Sequence, residues 1–316
     1  MTEYDIISVG SAVVDAFVRT GVREKGKEIS FPIGTKILVN DLFFSIGGGG
    51  MNTSASFSKL GLKTGYLGKI GSDYNSILVL KELKENKVDF LGVKSNENNG
   101  YSIILEGTKG DRTILTYKGS SDHLKSNEIK IHNLKTKWFH FTSQNKDSLE
   151  TQKKIIDYAV PNGIKISFNP SSYQVKEGFG KIKKMIENSY ILSMNKEEAE
   201  ILVGKNTYKK LHNLGAKIII ITDGENMGIV YDGNYLYKYF PHKIRTKEVT
   251  GAGDAFSAGF ITGYIRTKSI ETAIKIALAN SESVITKIGA SAGILTWSQA
   301  QNTIKNKTFV IKKEAV

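Results

Sequence analysis

The chain contains no cysteine. Disulfides, thiolate nucleophiles and cysteine-based metal sites are therefore excluded. Histidine is scarce: His123, His132, His140, His212 and His242 are all there are. No two stand in an HxH or HExxH arrangement, which argues against a zinc centre. Arginine is rarer than the charge suggests, because only Arg19, Arg23, Arg112, Arg245 and Arg266 occur among 44 basic residues. The net charge of +13 is thus lysine charge, scattered over helix-surface positions such as Lys81, Lys84 and Lys87. Nucleic-acid binders concentrate Arg and Lys on one face with aromatics between them. The scattered pattern reads instead as a solvated basic surface whose field attracts anionic substrates. A non-catalytic nucleic-acid-binding protein is the alternative from a different class. No run reaches the roughly 18 apolar residues of a membrane span, and no secretory leader is visible. A cytoplasmic protein without membrane contact is expected.

Several phosphate and nucleophile motifs are also missing. A Walker loop would need glycine where Lys63 stands and Ser or Thr where Ile70 stands. A dinucleotide fingerprint begins at Gly47/Gly49 and at Gly251/Gly253, but Asn52 and Phe256 occupy its third glycine position. There is no HRD or DFG set and no GxSxG elbow.

What is present is an α/β pattern over 316 residues. Short apolar strands are expected at Asp5–Val9, Thr64–Leu67, Trp138–Phe141, Lys165–Phe168, Tyr190–Ser193 and Lys217–Thr222. Helices are expected at Thr53–Leu60, up to about Glu85, and at Ser148–Ala159, 179–188, Lys196–Val203, Tyr208–Leu214 and Ile270–Ile285. Gly61 is expected to cap the first, and Ile77, Leu80 and Leu83 to share a face of the second. This alternation implies a mostly parallel sheet covered on both faces. Gly228–Tyr231 and Tyr235–Phe240 read as a hairpin, and the basic tail after about Thr303 carries no clear pattern. Lys36–Ser45, Gly100–Glu106 and Thr113–Lys118 break the alternation. The last two form a hairpin through Gly107–Asp111, and the three together suggest a small β lid over one domain spanning 1–316.

Two glycine-rich stretches carry the chemistry. Thr250-Gly251-Ala252-Gly253-Asp254 leads into an apolar helical run. Unpaired N–H groups and the helix dipole make such a turn an anion receptor. Asp254 is then either the helix cap or a base that takes a proton from a hydroxyl. Gly47-Gly48-Gly49-Gly50 marks a place where a ligand or another backbone comes close. Asn52 beyond it is either a cap or a reader of hydroxyls. Asp15, just past the first strand, is placed for substrate contact, because ligands of open α/β sheets bind at carboxyl ends. Arg112 is either a solvated hairpin charge or a contact for an anionic or polyhydroxyl substrate.

These motifs together resemble the ribokinase-like (PfkB) carbohydrate kinases over nearly the whole chain. The matching stretches are Gly47-Gly48 through Asn52, Leu60-Gly61, Gly68 to Asp73, Asn195-Lys-Glu-Glu198, Ile221-Thr222-Asp-Gly224 and Thr250 to Phe256. The resemblance implies a Rossmann-like sheet with a lid, and phosphoryl transfer from ATP to a hydroxyl. It implies that Asp254 is the base, that Gly251, Ala252 and Gly253 hold the transferring phosphate, and that Asp15, Gly47, Gly48 and Asn52 hold the acceptor. Asn195 would lie near the phosphates, with Glu198 on Mg²⁺ through water. Thr222, Gly224 and Asn280 would line the ATP site. Residues before the cradle often hold a monovalent cation such as K⁺ in such kinases, where Asp-Thr stands in place of Glu248-Val249. A D-x-N-x-R stretch of sugar-phosphate kinases reads Ser167-Phe-Asn169-Pro-Ser171 here. An uncharged sugar or polyol is the expected acceptor, with a nucleoside next and a sugar phosphate behind it. An open lid edge offers a route to a homodimer.

Overall fold

The computed structural model describes every residue except 1, 2, 23, 24, 27 and 109–111. The tip of the expected Gly107–Asp111 turn therefore lies outside the described residues, as does Arg23. Seven strands run parallel, because each is linked to the next by a crossover that returns the chain to the same end. Their spatial order is Ile218–Thr222, Ile191–Asn195, Lys165–Asn169, Trp138–Thr142, Ile6–Val9, Thr64–Leu67 and Asp89–Phe90. Runs such as Ile218-Ile-Ile-Ile221 are apolar without alternation, which suits strands buried on both faces. The chain moves outward from Ile6–Val9 through Thr64–Leu67, then restarts on the other side of Ile6–Val9 at Trp138–Thr142. A crevice opens at the carboxyl ends where the order reverses.

Three antiparallel strands extend one edge of this sheet: Gly228–Tyr231, Tyr235–Phe240 and Val310–Ala315. The polar tail is thus a strand, with Ala315 opposite Tyr235 and Val310 opposite Phe240. Its lysines suit a sheet edge facing water.

The second sheet has four strands in the order Val39–Gly47, Val13–Thr20, Gly100–Glu106 and Arg112–Tyr117. Its centre, Val13–Thr20, is not apparent from sequence. Only Gly10, Ser11 and Ala12 separate it from the first strand, so the two read as one broken apolar stretch. Asp15 is accordingly a strand residue opposite Ser45 and Ser102, not part of a turn. Phe17 stacks on Phe43 at 4.6 Å across two of these strands.

Helix Gly49–Lys59 starts at the glycine run rather than at Thr53, and Gly61 follows its end with φ +84°. Asp73 caps helix Tyr74–Glu85, accepting from the N–H of Ser76 at 3.3 Å. The buried face of that helix is Ser76, Val79 and Leu83, and Ile77 points to solvent instead. Among the described residues no helix is long and apolar enough to cross a membrane.

Candidate active site

The cradle is built by one backbone reversal. Gly251, with φ +80°, is the N-cap of helix Ala252–Thr267, and no side chain caps that helix. A Cβ-bearing residue would be strained in this conformation. The N–H of Ala252 donates to the Val249 carbonyl at 3.1 Å, while those of Gly253 and Asp254 face the adjoining space, where the helix dipole favours negative charge. The capping alternative for Asp254 is overturned: it is the third residue of the helix, not its cap. Its Oδ2 accepts from Asn52 Nδ2 at 2.8 Å. Burial pushes the Asp254 carboxyl up to about 6, against the opposing effect of that hydrogen bond. Asn52 is likewise inside its helix rather than at its start, and its Oδ1 is buried without a protein partner.

Two cavities meet at this carboxylate, and a third joins them one residue away, at Gly253. The first, about 350 Å³, lies under the four-stranded sheet and reaches Asp15, Gly48, Thr142, Ser143 and Asp254. The second, about 320 Å³, shares Asp254 and adds Asn195, Glu198, Gly251 and Gly253. The third, about 360 Å³, shares Gly253 and Thr222 with the second and continues past Gly224 to Phe256, Leu278 and Ile285. One hydroxyl-lined space and one apolar slot are therefore joined through a helix N-terminus, with a single aspartate at the junction.

In the first cavity, burial pushes the Asp15 carboxyl up to about 6, while the hydrogen bond with Ser102 and the charge of Lys118 oppose it. Gly47 leaves room for this carboxylate, since a Cβ there would stand 2.0 Å from Asp15 Oδ2. In the second cavity, Asn195 and Glu198 form a reciprocal helix cap. Asn195 Oδ1 accepts from the N–H of Glu198 at 2.8 Å, and Glu198 Oε2 accepts from the N–H of Asn195 at 3.1 Å. Ser172 donates to Glu198 Oε1 at 2.9 Å. The two therefore cap a helix and also line the cavity. Burial raises the Glu198 carboxyl despite these bonds.

Gly47 and Asn52 line none of these cavities but stand against Asp15 and Asp254, and two further expected site residues lie elsewhere. Asn280 is fully buried and away from the nucleotide-sized slot. Its Nδ2 donates to Ser56 Oγ and to the Ala255 carbonyl, both at 2.9 Å, and its Oδ1 accepts from the N–H of Leu295. A satisfied amide of this kind ties three segments together. Arg112 does not line the first cavity. It is ion-paired with Glu248 and donates to Thr250 Oγ1 at 3.1 Å.

Sequence reasoning missed Lys118, Thr142, Ser143 and Tyr173, which all line the first cavity. Thr142 ends a parallel strand next to the order reversal, so the carboxyl-end rule that selected Asp15 also pointed there. It missed His242, which lines the third cavity and is held by Glu282 at 2.8 Å and by the Thr308 carbonyl at 2.9 Å. Nothing in its local sequence marks it.

A large mostly parallel sheet with a small second sheet gives the chain the ribokinase fold. A family model described as pfkB family carbohydrate kinase matches residues 5–297, and the chain belongs to that family. It is an ATP-dependent sugar or nucleoside kinase. An uncharacterized sugar kinase of Archaeoglobus fulgidus is 29% identical over 247 residues, covering 75% of this chain and 97% of that protein. A nucleoside kinase of Methanocaldococcus jannaschii, an archaeal member of the ribokinase family, has the same fold. It matches with TM-score 0.81 and 20% identity, covering 97% of this chain and 100% of that one. An Escherichia coli chain described as a ribokinase II, in complex with ATP and Mg²⁺, matches with TM-score 0.83 and 17% identity, again over 97% and 100%.

Proposed function

We propose that the chain is one cytoplasmic kinase domain, spanning 1–316, that moves the γ-phosphoryl group of ATP to a hydroxyl of a small sugar or polyol. The observation that carries this reading is the meeting of two cavities at Asp254, with a third joined to them at the neighbouring Gly253. The acceptor lies under the four-stranded sheet, which serves as its lid, with Asp15, Gly47, Gly48 and Asn52 around its hydroxyls. Asp254 takes the proton of the attacking hydroxyl at the carboxylate oxygens. Gly251 and Gly253 offer backbone N–H groups to the transferring phosphoryl, whereas the N–H of Ala252 is engaged by the Val249 carbonyl and holds the turn. Phosphoryl transfer asks mostly for positioning and charge stabilisation, which this layout can supply.

ATP occupies the second and third cavities, its base against Phe256, Leu278 and Ile285 and its phosphates near Asn195, Thr222 and Gly224. Mg²⁺ would be held near Glu198 and would offset phosphate charge. Both Glu198 oxygens already accept protein donors, which fits contact through water rather than direct ligation. Among the described residues no group of three or more His, Asp or Glu could hold a metal ion, which fits an ion carried mainly by the nucleotide's own phosphates.

A nucleoside acceptor is the second reading. Ile104 and Ile114 of the lid and Tyr173 opposite give the acceptor cavity an apolar wall that a base could use. Lys118, in the same cavity, is the observation that keeps a sugar phosphate in view. The outer lid face exposes Leu42, Phe44, Leu115 and Tyr117 in adjacent rows, and a second copy of the chain would cover it as a homodimer. A coupled ATP-consumption screen over sugars, polyols, nucleosides and sugar phosphates tests the reading. Turnover on an uncharged sugar or polyol is expected. No turnover on any class, with tight salt-dependent RNA binding instead, would replace the kinase by a nucleic-acid-binding protein.

A further inference from the structure

The resemblance implies a monovalent cation near the residues that precede the cradle, and Glu248 is the acid there. The residues present do not fit that ion. Glu248 Oε1 already accepts three donors: Arg112 Nη1, the N–H of Thr250 at 3.1 Å and the hydroxyl of Thr250 at 2.7 Å. Arg112 Nη1 also donates to Thr250 Oγ1 at 3.1 Å, so guanidinium, carboxylate and hydroxyl close a ring. The Glu248 side chain is only 11% exposed and that of Arg112 29%. Burial pushes the Glu248 carboxyl up, but the bonds from Thr250 and Arg112 outweigh it and hold it below its ordinary value. The carboxylate is therefore ionised, and a covalently attached cation already balances it.

The two partners belong to different parts of the molecule, Arg112 to a lid strand and Glu248 to the loop before a helix. Arg112 opens the outer strand of the lid, paired with Glu106. Glu248 and Thr250 lead directly into Gly251, whose backbone turn forms the cradle. Thr250 also lines the acceptor cavity beside Asp254. A guanidinium bridging these segments does two things. It pins the turn that aims the N–H groups, and it makes that pinning depend on where the lid sits.

We propose that Arg112 is the resident cation of the cradle, a positioning residue that holds Glu248 and Thr250 in place of a monovalent metal ion when the lid is down. It rests on the kinase reading above, and it assigns Arg112 to the turn instead of to the substrate. Three consequences separate the two assignments. The natural chain needs no added K⁺. Removing the guanidinium lowers turnover more than acceptor affinity. An exogenous small cation fills the space left by the side chain.

The test uses the full chain, Arg112→Ala and Arg112→Lys. Thermal midpoints and hydrogen exchange are measured with and without KCl, with choline chloride as the ionic-strength control. Steady-state kinetics follow on the acceptor identified by the screen. For the natural chain, midpoint, kcat and KM are expected to be the same in KCl and choline chloride. For Arg112→Ala, kcat falls roughly 10- to 100-fold with acceptor KM nearly constant, as for a misplaced catalytic group. Guanidinium at non-denaturing concentration, or K⁺, restores part of the loss, and Arg112→Lys lies between. Exchange at residues 248–253 rises in Arg112→Ala while the parallel strands are unchanged.

Activation of the natural chain by K⁺ would overturn the proposal. So would an Arg112→Ala variant with raised acceptor KM and unchanged kcat, because that is the signature of a substrate contact. If no acceptor is turned over at all, the kinase reading is what fails. The exchange and midpoint measurements then still decide the proposal: unaltered exchange at 248–253, or a K⁺-stabilised natural chain, overturns it.

Discussion

Gly47–Gly50 and Gly251–Gly253 each lead the chain into a helix, yet a Cβ added to them would meet different things. At Gly48 it would stand 2.6 Å from the Ser11 carbonyl oxygen, and at Gly50 2.6 Å from the Gly10 carbonyl carbon. At Gly49 it would press on Thr142 at 2.9 Å. The first run is therefore small because protein lies against it, backbone at Gly48 and Gly50 and side chains at Gly47 and Gly49. At Gly253 nothing stands within 4 Å, and the residue lines two cavities. At Gly251 a Cβ would meet Ala290 at 2.6 Å, so within the second run it is Gly253 that is small where the protein leaves open space. The lesson is that a glycine-rich helix entry is not a phosphate site by composition alone. What separates packing from binding is whether the missing side chain is replaced by protein or by open space.

The sharpest way to break this comparison is at the point where the two runs meet, the Asn52–Asp254 hydrogen bond. Asp254→Asn is expected to lower phosphoryl transfer by roughly 10³-fold or more while ATP still binds, read by turnover and nucleotide titration. Near-normal turnover would remove the base assignment. The same variant should be more thermostable at neutral pH. The folded carboxyl titrates near 6 against an ordinary 3.8. The unfolded chain thus binds fewer protons between those values, so stability falls as pH rises through that window and stays lowered above it.

Gly50→Ala should come next, as a folding defect. The methyl group meets the Gly10 backbone and Tyr66 together, and overpacking of this kind costs roughly 1–3 kcal/mol. A urea midpoint unchanged from the natural chain would show that the two runs are not as different as the geometry says. Gly253→Ala should do the reverse. Stability stays within about 1 kcal/mol, because alanine is the better helix former. Turnover drops about 10²-fold, as the methyl group intrudes where the anion must sit. A stable and fully active variant would move the phosphate elsewhere.

The smallest effect is a pH limb. Asp15 and Asp254 are both pushed up to about 6 by burial, and Asp254 must be ionised to accept a proton. A decline in kcat/KM as pH falls through about 6 is expected, because both carboxyls protonate in that range. In Asp15→Asn the limb should simplify to a single group, at whatever residual activity remains.

Much of the main sheet was legible because its strands are short apolar runs between helical periods. Lys196–Val203 and the Gly228–Phe240 hairpin fall where the pattern puts them. The strand Val13–Thr20 was hidden by its nearness to Ile6–Val9, since three residues are too few to look like a change of sheet. Val310–Ala315 was hidden by its lysines, which an edge strand tolerates and a central one does not. The glycine turn at Gly251 could be read locally because backbone reversal and helix entry are local, whereas local sequence left Asp254 open between cap and base. The Arg112–Glu248 pair and the role of Asn280 could not. Each depends on partners more than 100 positions away for the former and on Ser56, 224 positions distant, for the latter.

The hydrogen bond between Asn52 and Asp254 spans 202 positions of sequence. Such a contact forms late, because distant segments must first be brought together at a high entropic cost of loop closure. A refolding chain can thus assemble Ile191–Thr222 and the neighbouring helices while its aspartate still lacks the amide that orients it. Recovered turnover would lag behind recovered helix signal. The site doubles as a clock for the last stage of folding.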